Sequence, residues 1–374
     1  MLDRKLGQHH TLPSVAHLLP ALMQIAPPKT VVDLGVGYGN LLHAAQSSWS
    51  KAMLYGVDVD SNSLEFARRR IAKAQFSVAD CLSELIDPTL NSFLEKADVV
   101  LSNPPFLTYP RTANTTKQIE AEIKFLQLGL GLLRPGGSLG IILPAKFISG
   151  PAYFNFRSKL LQTSSITSVT QLPRIAFGSA EVDSYFLVLR KQLQTSKIIL
   201  RRLDKDIEIT KNIDISSAQA TERMDYAYYA RKPEKSSVPL ALLMVQDVKR
   251  GEPSSGKSTP TELFHTTHFK FHPNGLIQID PGAVAQEDEK TARKGDLLIP
   301  RIGTRCLHHC GKITKGATRF SDCVYRIRLL PEWRDHVFNY FRSPEGIESR
   351  FAAAHGSCVK ILGKEALLDL MIPV

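Results

Sequence analysis

The residues best suited to chemistry lie in four short stretches of the first hundred or so positions. Asp33-Leu-Gly35-Val-Gly37-Tyr-Gly39 follows an apolar run, and its glycines let the backbone turn tightly and approach a ligand closely. A purely structural left-handed turn explains those glycines equally. About 20 residues on, Tyr55-Gly-Val-Asp58-Val-Asp60 ends a second apolar run in a carboxylate, where an acid can accept hydrogen bonds from both ribose hydroxyls. A further acid, Asp80, stands in Val78-Ala-Asp80-Cys81-Leu82, a position that also suits a helix N-cap. Val99-Val-Leu-Ser-Asn103-Pro104-Pro105-Phe106 then runs from apolar residues into an amide, two prolines and an aromatic ring. Successive prolines forbid both helix and ladder pairing, so the backbone there is fixed with its carbonyls exposed. An ordinary turn would use the same residues.

Strands must hold these stretches in place. Short apolar runs at 30–34, 53–59, 97–101, 138–143 and 185–189 alternate with amphipathic helical patterns such as 61–74 and 116–133. Alternating strand and helix predict an α/β domain with a mostly parallel sheet covered on both faces. Arg134-Pro-Gly-Gly137 predicts a helix stop. After about residue 191 the texture changes to short strand-like pieces, 197–203 and 297–302 among them, between loops rich in Gly, Pro, Ser and Thr. The next strongly periodic helix is expected at 345–354, and 250–260 reads as a long exposed loop. The division expected is a catalytic domain over 1–200, a linker over 201–224 and a smaller, mixed α/β, loop-rich domain over 225–374.

The chain has 374 residues and a formal net charge of +11, and both halves are basic, which favours a polyanionic partner. No apolar stretch follows the charges at the start and no run approaches a membrane span, so neither a signal peptide nor a membrane association is expected. Five scattered cysteines do not form a disulfide framework, and a reducing cytoplasm is the natural compartment.

Taken together, the glycine loop, the two acids and Asn-Pro-Pro-Phe resemble the class I, Rossmann-like S-adenosylmethionine-dependent methyltransferases, and specifically the N6-adenine DNA methyltransferases. The order resembles their gamma group, because Gln8-His-His-Thr11-Leu-Pro13 precedes the glycine loop as that group's leading cofactor motif does. The resemblance covers about residues 6–192 and implies roles. Thr11 and Pro13, with Asp33, Gly35 and Gly37, would border the methionine part of S-adenosylmethionine. Asp58, with Val59 beside it, would hold the ribose, and Asp80, with Cys81, would receive the cofactor's exocyclic amine. Asn103 and the Pro104 carbonyl, set by Pro105, would accept from the target amine, and Phe106 would stack on the flipped base. In Phe177-Gly-Ser-Ala-Glu-Val-Asp-Ser-Tyr185, Phe177 would face the other side of that base; Tyr185 reads as a core strand residue. Such a site agrees with the chemistry. An adenine amine has its lone pair delocalised into the ring, and two fixed acceptors make it tetrahedral and nucleophilic without a strong base. A duplex base is reached only by flipping. No metal is implied.

The C-terminal part carries a second resemblance. Glu222-Arg-Met-Asp225-Tyr-Ala-Tyr-Tyr229, Gly295-Asp296-Leu-Leu-Ile-Pro-Arg301-Ile-Gly303, Gly356-Ser-Cys-Val-Lys360 and the closing Leu370-Met-Ile-Pro373 are similar to a target-recognition domain of the Type I specificity-subunit kind. Gly295-Asp296 also reads as a plain turn. Only one such domain fits, and the helical spacer that usually follows is absent. Arg301 and Arg305 are the candidates for contact with double-stranded DNA. Cys306-Leu-His-His-Cys310 has metal-ligand residue types but no second cluster, so a polar recognition loop is expected there. Arg68-Arg-Arg70 reads as a solvated helix face.

The function expected is sequence-specific adenine-N6 methylation of DNA within a restriction-modification system, with a cognate endonuclease as partner. With so few residues before Thr11, a fused nuclease is not expected. The alternatives are RNA or protein-glutamine N-methylation, and an inactive DNA-binding specificity module.

Overall fold

A computed structural model describes residues 11–83, 86–106, 120–177, 182–192, 197–204, 206–209, 211–231, 236–253, 263–280, 288–357 and 359–374. Residues 8–10 and 178–181, the start of the 116–133 pattern, most of the 250–260 loop and Cys358 lie outside them. The chain divides into two compact units, Met1–Tyr226 and Ala227–Val374.

The apolar runs of the first unit become the strands of one nine-stranded sheet. They are β1 (Thr30–Leu34), β2 (Met53–Asp58), β3 (Gln75–Val78), β4 (Ala97–Ser102), β5 (Leu133–Pro144), β6 (Ser164–Gln171), β7 (Ser184–Lys191), β8 (Lys197–Arg202) and β9 (Ile213–Ser216). Their spatial order is β3-β2-β1-β4-β5-β7-β6-β8-β9. The first five in that order are parallel, and β7 is antiparallel to both its neighbours. Helices cover the sheet, so central strands are buried along nearly their whole length; Val31, Val32, Leu34, Val100 and Leu101 are all fully buried. The first unit is thus the Rossmann-like α/β domain that the alternating pattern predicts.

The topology makes a crevice. From β1 the chain builds outward through β2 to β3, then returns to place β4 on the other side of β1. Ligands of such sheets lie at this reversal, outside the carboxyl ends of the strands. The register pairs Leu34 with Ser102, so the glycine loop and Asn103 leave the sheet side by side.

One local reading changes. Helix Ser61–Arg70 starts where Asp60 caps it, accepting from the Asn62 N–H at 3.0 Å, but stops short of residue 74 because fully buried Ile71 turns into the core. The helix stop expected at Arg134-Pro-Gly-Gly137 is where helix Ala121–Leu132 gives way to β5, and this stretch forms the start of that strand, beside an irregularity in its pairing with β4. Gly136 there is left-handed at φ +75°, and Arg134 pairs with Asp98 at 2.6 Å.

The span 201–224 is not a linker. Arg201 and Arg202 end β8, β9 pairs antiparallel to it, and helix Ser217–Glu222 is closed by a Ser216/Gln219 capping box. Fully buried Arg157 holds this segment, donating to the carbonyls of Thr221 (2.9 Å), Glu222 (2.6 Å), Gly150 (2.9 Å) and Phe147 (3.2 Å). A short edge strand with one inward residue, Ile215, has too little apolar periodicity to be recognised in sequence.

The second unit contains a five-stranded sheet in the order Met244–Arg250, Val324–Leu329, Leu297–Pro300, Gly311–Lys315, Leu276–Gln278, with smaller sheets beside it. Helices Arg334–Arg342 and Pro344–Ala353 pack on its core. Gly295-Asp296 is a turn: Gly295 has φ +94°, and the buried Asp296 carboxylate receives Arg328 through two contacts of 2.7 Å and the Arg293 N–H at 2.9 Å. Among the described residues no helix is long and apolar enough to cross a membrane.

Candidate active site

The crevice at the strand reversal opens into a cleft of about 960 Å³, solvent at its mouth included. Thr11, Gly35, Gly37, Asp58, Val59, Asp80, Cys81, Asn103 and Pro105 line it, drawn from five separate stretches of chain. Tyr38, Asn40, Leu41 and Phe125 line it too, and sequence reasoning did not single them out. Tyr38 and Asn40 extend the glycine loop and could have been read with it. Phe125 belongs to helix Ala121–Leu132 and carries no motif.

The glycines are used for close approach. Gly35, Gly37 and Gly39 have φ of +70°, +51° and +78°. A Cβ on Gly35 would stand 3.2 Å from the Phe125 ring and one on Gly39 2.9 Å from Ile71 Cδ1, so side chains there meet both strain and crowding. The loop is tied to β2 at two points. Gly35 N–H donates to the Val57 carbonyl at 2.8 Å, and Gly37 N–H to Asp58 Oδ2 at 2.7 Å.

Asp58 is 6% exposed, and its other oxygen accepts from the Asp60 N–H at 2.9 Å. Burial raises its pKa, opposed by these backbone donors. The carboxylate is therefore held rigidly, and each oxygen keeps lone-pair capacity for a ligand hydroxyl. Asp33 lies beneath the cleft and is fully buried. No described group donates a well-formed hydrogen bond to either of its oxygens. Burial and the nearby Asp58 charge push its pKa well above the usual carboxylate range, with the Leu42 N–H opposing. Asp80 is exposed at the rim, where Oδ1 accepts from the Leu82 N–H at 2.8 Å; it closes a local turn rather than capping a helix. Burial pushes the neighbouring Cys81 thiol up to about 12, which keeps it protonated and inert.

Asn103 follows β4 directly, and its Nδ2 donates to Thr11 Oγ1 at 3.1 Å. Pro104 is buried behind it. Phe106 packs beside the core and meets Phe177 edge to face, with ring centroids 6.0 Å apart at 82°. A base sandwiched between them would need the rings to part and turn parallel. Tyr185 is a buried residue of β7. Pro13 opens helix Pro13–Ala16 and does not line the cleft. Arg68 and Arg69 are exposed, but Arg70 reaches back to donate to Asn40 Oδ1 of the glycine loop.

In the second unit Arg305 is exposed, whereas Arg301 is half-buried and donates through Nε to the Asp322 carbonyl at 2.6 Å. Cys306 Sγ donates to the Ile302 carbonyl at 3.1 Å, and Cys310 is buried. Among the described residues no three His, Cys, Asp or Glu side chains gather as a metal site.

A left-handed glycine cradle where a Cβ at Gly35 or Gly39 would be strained and crowded, a backbone-braced acid at the end of β2 and a mixed apolar and polar lining fit a nucleoside cofactor. Residues 9–159, less than half of the chain, match the family described as Methyltransferase small domain. The first unit carries a class I methyltransferase domain. S-adenosylmethionine is its cofactor. The domain is similar to the rRNA N(6)-adenosine-methyltransferase metl-5 of Caenorhabditis elegans, 29% identical over 113 residues that span 30% of this chain and 50% of that protein. It is also similar to a protein of Methanocaldococcus jannaschii named as a type II restriction enzyme and methyltransferase, 30% identical over 105 residues, 26% of this chain and 9% of that one. The chain thus spans half or less of each of these two relatives. Among solved structures, the type IIG restriction endonuclease BpuSI shares the fold over 98% of this chain and 58% of its own, with a TM-score of 0.53 at 13% identity.

Proposed function

We propose that the chain is a sequence-specific DNA methyltransferase that methylates the N6 amine of adenine, with the methyltransferase domain doing the chemistry and the second unit reading sequence. The observation that carries the reading is Asn103-Pro104-Pro105-Phe106 at the carboxyl end of β4, level with the glycine loop, with Asn103 and Pro105 lining the same cleft. Bound S-adenosylmethionine supplies a methyl group activated by the sulfonium charge, transferred as the S–CH₃ bond breaks to a thioether and an N–CH₃ bond forms.

The chain's own residues bind and align. Gly35 and Gly37 admit the cofactor, Asp58 accepts from its ribose, Val59 covers its base, and Asp80 and Cys81 stand at the exocyclic amine. Thr11 and Asp33 belong to the methionine end. Asn103 Oδ1 and the Pro104 carbonyl accept from the two N–H bonds of the target amine. They draw its lone pair out of the ring and leave its surplus proton to pass to water. Phe106 and Phe177 receive the flipped base once their edge-to-face contact opens.

The basic balance of both halves and the fold shared with a type IIG restriction endonuclease across both units support a DNA substrate and a restriction-modification setting. RNA adenine is the second reading, favoured by the likeness of residues in the catalytic domain to an rRNA N(6)-adenosine methyltransferase. Plasmid DNA and total RNA from cells expressing the chain or Asn103→Ala decide between them. N6-methyladenine at one recurring DNA sequence, lost in the variant, is the expected result; methylation confined to RNA would overturn the DNA reading.

A further inference from the structure

We propose that Thr11 is a positioning residue that orients the Asn103 amide and ties it to both the cofactor loop and the wall of the target pocket. The inference rests on the reading of Asn103 given above and adds to it how that side chain is aimed.

Thr11 is 3% exposed and makes three kinds of link with its immediate neighbour. Its Oγ1 accepts from Asn103 Nδ2 at 3.1 Å, a contact made across 92 positions of sequence. Its carbonyl accepts from Asn40 Nδ2 at 2.7 Å, and Asn40 Oδ1 is in turn held by Arg70. The next residue, Leu12, donates its N–H to the Ala176 carbonyl at 2.8 Å, one position before Phe177. One dipeptide therefore touches the amide that receives the target amine, the glycine loop and the turn that presents the aromatic wall.

Chemistry sets the sign of the effect. An asparagine amide has a donor end and an acceptor end, and only the acceptor end can receive an amine proton. A hydroxyl that engages Nδ2 leaves Oδ1 as the end that faces the substrate. Without it the donor end loses this partner, and the orientation that presents Oδ1 rather than N–H bonds to the amine is held less firmly. Because the same residue lines the cofactor cleft, its loss must be separated from a simple loss of cofactor binding.

Thr11→Val keeps the shape and removes the acceptor; Thr11→Ala removes it without the branched side chain; Thr11→Ser restores it. Methyl transfer from labelled S-adenosylmethionine to duplex DNA is measured with the full chain, beside cofactor affinity by calorimetry and the thermal unfolding midpoint. The Val and Ala variants are expected to lose at least tenfold in kcat while cofactor Kd stays within about threefold, and Ser is expected to recover most of the rate. In an Asn103→Ala background Thr11→Val should have no further effect, since its target is gone. Unchanged kcat, a rate loss that only follows cofactor affinity, or full additivity with Asn103→Ala would overturn the proposal. An Asn103→Ala chain with the normal rate would instead remove the reading of Asn103 on which it stands.

Discussion

Replacing Asp58 with alanine separates the acid's role in holding ligand from its role in holding the loop. The carboxylate accepts from Gly37 N–H at 2.7 Å and Asp60 N–H at 2.9 Å, so the substitution removes the acceptor of both backbone N–H groups as well as the proposed ribose contacts. Each orphaned N–H costs about 1–3 kcal/mol where water cannot replace the partner. Asp60 is half-exposed and its N–H can be hydrated, and burial already penalises the Asp58 charge, so removing the charge offsets much of the remaining cost. Stability should therefore fall by no more than about 2 kcal/mol. Cofactor affinity has no such offset. Losing hydrogen bonds to a charged acceptor costs about 1.5–3 kcal/mol, or roughly a ten- to hundredfold rise in Kd. Ligand-induced stabilisation reads this directly. At a concentration 100 times the wild-type Kd the cofactor adds about 2.7 kcal/mol to the wild type, but only about 0.4 kcal/mol to a variant whose Kd has risen a hundredfold. Asp58→Asn, which keeps one oxygen, should fall between. A folded Asp58→Ala chain that S-adenosylmethionine stabilises as much as the wild type would move the ribose site elsewhere.

Four further substitutions have outcomes that follow from burial, hydrogen bonding or exposure. Asp33 is buried with its pKa raised, so the folded chain holds that proton more tightly than the unfolded chain. Its contribution to stability is complete below the unfolded pKa of about 3.9 and is lost as pH rises through the folded pKa. Without cofactor, Asp33→Asn should therefore unfold at a higher temperature than wild type near pH 7, with the difference vanishing towards pH 4; a difference independent of pH would refute this. Arg157→Ala leaves four buried or half-buried carbonyls without their donor and should destabilise the first unit by about 3–5 kcal/mol in denaturant unfolding. In the second unit, Arg305→Ala should weaken duplex DNA binding by about 1–3 kcal/mol if it reads a base, or flatten the salt dependence if it meets phosphate. Arg301→Ala, because its Nε holds the Asp322 carbonyl, should lower the unfolding midpoint more than the affinity.

The parts of this molecule legible in its sequence are those where local pattern and tertiary burial coincide. The parallel strands are covered on both faces, so each must be an apolar run, and the run at 30–34 matches β1 residue for residue. Edge elements lack that constraint. β9 buries only Ile215 and Arg157 carries no apolar signal, so a segment integral to the sheet reads as a linker. Phe125 enters the cleft because helix Ala121–Leu132 lies over the strand reversal, a fact of topology that no spacing encodes. Arg301 reads as an available cation, and only the fold brings the Asp322 carbonyl to it.

The chemistry itself is legible for a related reason. At the carboxyl ends of three central strands the apolar run stops, and the residues that stop it line the crevice: Asp58 at the end of β2, Asn103 after β4, the glycines after β1. A break in hydrophobic periodicity is thus also a map of the site. It identifies which residue types are available to a ligand, but not how each is aimed, since aim depends on partners far away in sequence. Asn103 shows the distinction. Its type and position follow from four consecutive residues, while the partner of its amide nitrogen is Thr11, 92 positions away, which the proposal above makes its positioning residue. On the proposed reading one residue would serve both the cofactor cleft, which it lines, and the target amine, through its contact with Asn103, a link made by the tertiary structure alone.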